Sequence, residues 1–477
     1  MEIRDKFFID GAWVAPSGSE TIEVFNAGDG RELGKVPAGG AKDVDAAVKA
    51  AVAALPVWSG TESAARAEYL KKIADGLKAK GEVLAKLIAQ EVGMPIKLAS
   101  RIQVGSPIAT FSNYARIAAG FDWEETVGNS LVIRDPVGIV AAITPWNYPL
   151  HQIALKVAAA LAAGCTVVLK PSEVAPFNAF VLAEVIAEAR LPNGVFNLVT
   201  GYGNDAGEAL VGHDQIDMIS FTGSTRAGKR ISEVAAKSVK RVALELGGKS
   251  ASVILEDADF ATAVKGTVGN CYLNSGQTCT AWTRMLVPES RYDEAASIAA
   301  ETAAKFAPGD PLSENTRLGP LSSAAQLERV RGFIKKGMDE GAAVLAGGLD
   351  APENVPDGGY YVKPTVFGKV KPDSTIGQEE IFGPVLSIIT YKDEDDAVRI
   401  ANGTIYGLAA AVWSGDEARA QKVARRIRAG QIDINGGPFN LNAPFGGFKQ
   451  SGIGREAGTY GLDEFLEYKS LQLKPAS

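Results

Sequence analysis

Short, almost wholly apolar strands alternating with amphipathic helices predict an α/β fold built on parallel sheets. Two stretches carry that expectation. From Val137 to Leu255 the segments GIVAAIT, CTVVLK, VFNLVT, IDMISF and RVALEL are apolar nearly throughout, and helical patterns separate them. Strands of this kind are buried on both faces, as happens when crossover helices cover a parallel sheet. The second half repeats the style less regularly in RMLVPE, YVKPTVF, PVLSIITY, LAAAVWS and QIDIN. At 477 residues the chain is long for one core. Two α/β domains are therefore expected.

Taken in order, FFIDGAWV reads as a strand, a turn and a second strand, followed by polar turns to about Gly40. Asp43–Leu55 and Ser63–Val92 place apolar residues at helical spacing, with Pro56, Gly93 and Pro95 as the breaks. Within Trp123–Pro136 the stretch NSLVIRD alternates apolar and polar residues, as a half-buried strand does. Helices follow at Leu150–Ala163, closing on Gly164, and at Phe177–Ala189. Near the carboxyl end EYKSLQLK alternates again, so this segment and NSLVIRD are expected to pair with each other or with a second subunit. There is no fixed-period repeat and no low-complexity tract.

Composition narrows the function. A hydrophobic content of 46% and a charged content of 22% are ordinary for a globular protein. A net charge of −7 speaks against a nucleic-acid surface. The start, MEIRDKFFIDGAW, is too charged for a signal peptide, and no apolar run is long enough to span a bilayer. Three cysteines without paired spacing fit a reducing compartment, so a cytoplasmic protein is expected. With only His151 and His213 present, no His-rich metal site is expected.

The stretch with the most chemistry is LNSGQTCTAW, Leu273–Trp282. Cys279 lies there behind Gly276 and Gln277, either as a reactive thiol or as core packing. Cys165 and Cys271 sit in apolar surroundings and read as small buried hydrophobes. Glu245 ends the strand RVALEL; a carboxylate there is either a general base whose pKa burial raises or half of a salt bridge to Lys249 or Arg241. Asn147, in ITPWNYP, is placed between a strand and a helix, as an oxyanion donor or as a helix cap. Two glycine stretches, Gly201–Ala206 and Gly223–Lys229, nearly match phosphate-binding motifs. Each can equally be a plain strand-to-helix turn. Together they point to a nucleotide at one sheet edge.

The ordered set ITPWNYP, LKPSE, FTGSTRAGK, ELGGKS, NSGQTC, EEIFGP and PFGGFKQSGIGRE resembles the aldehyde dehydrogenase superfamily over almost the whole chain. The resemblance implies NAD-dependent oxidation of an aldehyde to its acid, of the hydrolytic, general-purpose type. Cys279 would be the nucleophile, Asn147 the oxyanion donor and Glu245 the base, with Lys156 and Glu456 tuning or relaying protons. Ile143, Thr144, Trp146 and Leu246 would lie along the cofactor, and Lys170 and Glu173 at the adenosine ribose. Gly203 and Gly207 would frame the adenine side, Gly223 and Ser224 the diphosphate, Glu380 and Phe382 the nicotinamide ribose. A carboxylate such as Glu173 bonds ribose hydroxyls and repels a 2′-phosphate, which favours NAD over NADP.

The resemblance also implies a substrate tunnel of Tyr148, His151, Leu155, Leu273, Thr278, Thr280 and Phe439. That set is mostly apolar and has no arginine, which suggests an uncharged aliphatic or aromatic aldehyde. The implied architecture is a Rossmann-like cofactor domain (1–120 and 137–250), a catalytic α/β domain (251–447) and a small β oligomerisation segment (121–136 and 448–477). Such proteins form homodimers or homotetramers. The rival readings are a CoA-acylating semialdehyde dehydrogenase, a catalytically silent protein on the same scaffold, and a cysteine hydrolase using His151. Members of the acylating kind lack the glutamate that Glu245 supplies here.

Overall fold

The structure, a computed structural model, describes residues 2–474; Met1 and residues 475–477, which fall in the expected first and last segments, lie outside the described residues. Five parallel strands form the middle of an eight-stranded sheet: β1 (Ile139–Ile143), β2 (Thr166–Lys170), β3 (Phe196–Leu198), β4 (Met218–Thr222) and β5 (Arg241–Glu245). They lie side by side as β5-β4-β1-β2-β3. The chain thus runs outward from β1 to β3 and then crosses back to β4 on the other side of β1. That reversal opens a crevice between the carboxyl ends of β1 and β4, where open α/β sheets take ligands.

Helices α1 (Pro149–Ala163), α2 (Phe177–Glu188) and α3 (Thr225–Ala235) connect these strands. Every residue of α1 except His151 is buried, so α1 is a core helix. Gly164 ends it with φ 95°, a left-handed cap that favours glycine. The hairpin Phe7–Ile9/Ala12–Val14 extends the sheet beyond β3, turning on Asp10 (φ 51°) and Gly11 (φ 73°). At the opposite edge Gly452–Ile453 pairs antiparallel with β5.

The second sheet contains β6 (Ala251–Ile254), β7 (Arg284–Pro288), β8 (Thr365–Gly368), β9 (Val385–Tyr391), β10 (Ala409–Trp413) and β11 (Gln431–Ile434). Its order is Ala343–Ala346, then β8-β9-β7-β6-β10-β11, which leaves β11 at an edge. Strand β6, central in this sheet, is absent from the sequence reading. It follows β5 so closely, across Gly247-Gly248, that its apolar run passes for a continuation. Gly248 decides the change of sheet: a Cβ there would come 2.3 Å from the Cys279 carbonyl oxygen.

Three local expectations are corrected. The polar turns before Gly40 contain the antiparallel strands Thr21–Phe25 and Glu32–Pro37. Pro56 does not end its helix, which runs Ala41–Ser59. The fully buried Trp58 holds that last turn against the core, and this outweighs the donor that proline lacks. The long pattern Ser63–Val92 divides into the helices Ser63–Ala79 and Gly81–Val92.

The two alternating segments pair with each other antiparallel, from Leu466 opposite Pro136 to Gln472 opposite Ser130. Together with Glu124–Val127 they form a separate three-stranded sheet. Among the described residues, no helix is long and apolar enough to cross a membrane.

Arg284 ties the second sheet to the helix α4 (Glu394–Asn402). Its guanidinium is 1% exposed and donates to the carbonyls of Lys249, Ile400 and Ala401, each at 2.8 Å. The last two are carbonyls at the end of α4, which attract a cation. Arg284→Met strands all three acceptors in the interior and should cost about 3 kcal/mol. The expected readout is an earlier urea midpoint for the transition that unfolds this sheet; an unshifted midpoint would refute the assignment.

Candidate active site

Cys279 is placed by an uncommon piece of backbone. After the helix Phe260–Cys271, three consecutive residues, Asn274, Ser275 and Gly276, adopt φ of 51°, 55° and 74°. Left-handed geometry is open to glycine, tolerated by asparagine and costly for serine. Gly276 is required twice over, because a Cβ there would lie 2.1 Å from the Gly383 carbonyl oxygen.

Side-chain amides hold the run in place. Gln277 Oε1 accepts from the Ser322 N–H at 2.9 Å, and Ser275 Oγ donates to the Gly319 carbonyl at 2.8 Å. Asn147 Nδ2 donates to the Gln277 carbonyl at 2.9 Å, and Asn274 Nδ2 returns a bond to the Asn147 carbonyl at 2.9 Å. Asn147 is thus not a simple cap of α1. Its amide is bonded directly into the cysteine loop.

Cys279 lies where two cavities meet, a cleft of about 250 Å³ and a second cavity of about 400 Å³. Gln152 also borders both. The cleft occupies the β1/β4 crevice, with Trp146 and Asn147 from the loop after β1, Gly223 and Ser224 after β4, and Leu246 after β5. Ser224 Oγ accepts from the Ala227 N–H and caps α3, whose amino end points a positive dipole into the crevice. Glu380 and Phe382 close the cleft. Glu380 Oε1 accepts from the Gly248 N–H at 2.8 Å, and Phe382 (φ 63°) meets Trp146 edge to face at 5.4 Å.

Of the remaining cofactor candidates, Ile143, Thr144, Lys170, Glu173, Gly203 and Gly207 do not line this cleft. Several form a neighbouring group: Lys170 Nζ is 3.6 Å from the Glu173 carboxylate, and a Cβ on Gly207 would lie 3.7 Å from Lys170 Cε. Gly203 and Gly207 bound one helical turn, and the Thr144 N–H donates to the Lys170 carbonyl. All seven expected tunnel residues, Tyr148, His151, Leu155, Leu273, Thr278, Thr280 and Phe439, border the second cavity.

Glu245 lines neither cavity, although it ends β5 and is 5% exposed. Neither carboxylate oxygen has a hydrogen-bond partner. The salt-bridge reading is corrected, since Arg241 turns to the Glu464 and Leu466 carbonyls and the buried Lys249 Nζ has no partner. Burial first, and then the Glu456 carboxylate, hold the Glu245 pKa well above the usual range. Glu456 in turn is bonded to Lys156 Nζ at 2.5 Å, both groups buried.

Burial likewise pushes the Cys279 thiol up, helped by Glu380 and Glu245, while the N–H groups of Cys279 and Thr280 oppose it. Glu380 is raised by burial to about 7. Burial and the Lys156 charge lower His151 to about 4, so its imidazole is neutral. Cys165 and Cys271, fully buried, are both pushed up to about 12.

Several lining residues are missing from the sequence reading. Gln152, which accepts from Thr222 Oγ1 at 3.1 Å, was legible as the next position on the Tyr148 face of α1. Gln326 and Arg329 were not. They reach the cleft from a helix at Ala324–Asp339 and donate to the Phe382 carbonyl at 2.6 Å and the Glu380 carbonyl at 2.7 Å. Trp282, Gln431 and Asp433, in the second cavity, also went unread.

Residues 13–471 match the model of the aldehyde dehydrogenase family. The chain is 47% identical over 467 residues to a 3-succinoylsemialdehyde-pyridine dehydrogenase of a Pseudomonas species, covering 98% of each chain. Its fold is similar to the crystal structure of aldehyde dehydrogenase C from Pseudomonas syringae, a variant complexed with NAD+ and octanal. The TM-score is 0.98 at 45% identity, over 99% of this chain and 98% of that one. A Mycobacterium tuberculosis aldehyde dehydrogenase complexed with NAD+ gives 0.96 at 43% identity, over 99% and 98%. A cysteine held on a left-handed loop between a switch-point crevice and a second cavity, on a chain whose residues 13–471 match the family model, makes this protein a member of the aldehyde dehydrogenase family.

Proposed function

We propose that this protein oxidises aldehydes to carboxylic acids with NAD, with Cys279 as nucleophile, Asn147 as oxyanion donor and Glu245 as base. One observation carries the reading: Cys279 is shared by two cavities, so cofactor and aldehyde can reach one sulfur from opposite sides. The crevice suits a dinucleotide. It is headed by the amino end of α3, and its floor is kept open at Gly247, where a Cβ would lie 2.4 Å from Glu380 Oε2. Gly223 and Ser224 would hold the diphosphate there, Trp146 and Leu246 the length of the cofactor, and Glu380 and Phe382 the nicotinamide ribose. Lys170 and Glu173 would hold the adenosine ribose, and the Glu173 carboxylate disfavours NADP. The NAD+ complexes of the two bacterial enzymes support the same cofactor here.

In this reading the Cys279 thiol gives up its proton to water, the resulting thiolate adds to the aldehyde carbon, and the carbonyl electrons move to oxygen. Asn147 Nδ2 uses one hydrogen on the Gln277 carbonyl and has a second for that oxyanion, beside the Cys279 N–H. Bound NAD+ supplies the hydride acceptor. Loss of hydride leaves a thioester on Sγ. Glu245 then takes a proton from water, whose oxygen adds to the thioester carbon, and the C–S bond breaks to release the acid. Because both Glu245 oxygens lack partners, its side chain can turn toward Cys279 without breaking a hydrogen bond. Glu245 also disfavours CoA as acyl acceptor.

The three-part division (1–120 with 137–250, 251–447, and 121–136 with 448–477) belongs to the same proposal. The separate sheet at Ser130–Pro136 and Leu466–Gln472, which leaves Tyr468 and Leu471 exposed, supports assembly into a homodimer or homotetramer. Three unpaired cysteines support a reducing, cytoplasmic setting.

Wild-type protein should form NADH from hexanal at a rate indifferent to CoA, and Cys279→Ala should abolish it; CoA-dependent turnover would sink the hydrolytic reading. The pH profile tests the carboxylates. Glu245 must be ionised to act on the thioester, so its raised pKa places the acidic limb of kcat above the ordinary carboxylate range. Glu456→Gln removes a like charge and leaves Lys156 unneutralised, and both changes lower the Glu245 pKa. The limb should therefore move to lower pH. A move upward, or none, would refute this arrangement.

A further inference from the structure

We propose that the second cavity selects aldehydes bearing a protonated amine at the end remote from the formyl group, with the Asp433 carboxylate as its partner. The inference rests on the oxidation proposed above and names the substrate class of the same site. Asp433 and Gln431 alternate along edge strand β11, so both side chains fall on one face, and both border the cavity. Gln431 Nε2 donates to Asp433 Oδ1 at 2.9 Å, and among the described residues Oδ2 has no hydrogen-bond donor. Among the described residues Asp433 is the one carboxylate in the lining, and neither lysine nor arginine joins it. His151 brings no positive charge, since its ring is neutral, and its Nδ1 is buried without a partner.

A carboxylate partly withdrawn from water without a counter-ion is costly; Asp433 is half-buried, and that desolvation already raises its pKa. An ammonium group supplies the missing charge. An alkyl chain of the same shape leaves the cost in place, and a substrate carboxylate adds a second negative charge. The aromatic surface points the same way: Trp282 and Phe445 join Tyr148 and Phe439 around the cavity. Phe439 and Phe445 pack edge to face at 5.9 Å. Aromatic faces attract cations. The apolar tunnel read from the sequence lacked Asp433, Gln431 and Trp282, and these residues turn the preference from an uncharged aldehyde to a cationic one.

The test is NADH production at neutral pH from ω-aminoaldehydes of roughly three to six carbons. Each is compared with the isosteric alkanal one carbon longer, in wild type and in Asp433→Asn. Wild type should favour the amine by about tenfold or more in kcat/KM at its best chain length, a difference of one decade in transition-state binding. In Asp433→Asn that ratio should fall by about tenfold, mainly through the KM of the aminoaldehyde. A ratio at or below one at every length in wild type overturns the inference, and so does a folded Asp433→Asn with an unchanged ratio. If the variant does not fold, the wild-type ranking decides alone. NADH from alkanals without an amine preference defeats only this inference; no NADH from either series defeats the oxidation itself.

Discussion

The hydrogen bond from Asn147 Nδ2 to the Gln277 carbonyl, with its return from Asn274 Nδ2 to the Asn147 carbonyl, joins two loops that belong to different sheets. One loop leaves β1 and the other precedes β7. A single buried bond of this kind contributes only about 1 kcal/mol, but a left-handed run of three residues could not persist without such anchors. The consequence is positional. Cys279, Asn147 and the crevice hold one geometry because the two loops are tied through the same few backbone carbonyls.

Electrostatics inside that frame are set by burial more than by pairing. Glu245 is a buried carboxylate and Glu380 a half-buried one, and desolvation is the first cause that raises each. Lys156 and Glu456 neutralise one another at the rear of the site, so the charge that reaches Glu245 depends on a pair and not on either residue alone. Asp433 is a half-buried carboxylate in the second cavity, whose lining among the described residues includes no lysine or arginine. Interior carboxylates without counter-ions are rare because they are expensive. Glu245, buried and with neither oxygen hydrogen-bonded, is the one of the three that carries that cost in full.

The alternation of apolar strands and helices was legible because a parallel sheet buried on both faces admits little else; two-residue alternation marked Ser130–Pro136 and Leu466–Gln472 as strands but left their partner open, and the structure pairs them with each other. The motif residues around Cys279 were legible as types with a purpose: a thiol behind glycines, a carboxylate ending an apolar strand, an amide at a strand end. Other elements were not. Strand β6 hid behind Gly247-Gly248, and Pro56 signalled a break that the packing of Trp58 overrode.

What the chain determined by itself was therefore the class of fold and the inventory of chemistry, since both reside in local periodicity and residue type. Tertiary structure decided which distant residues share a cavity. Gln326 and Arg329 reach the cleft from one helix, and Asp433 reaches the second cavity from an edge strand about 150 residues beyond Cys279. Whether a carboxylate becomes a base, a salt bridge or a ligand for a cation depends on what the fold places against it and how much water it leaves there. Neither is written in local sequence, because desolvation and Coulomb interaction act through space and not along the chain.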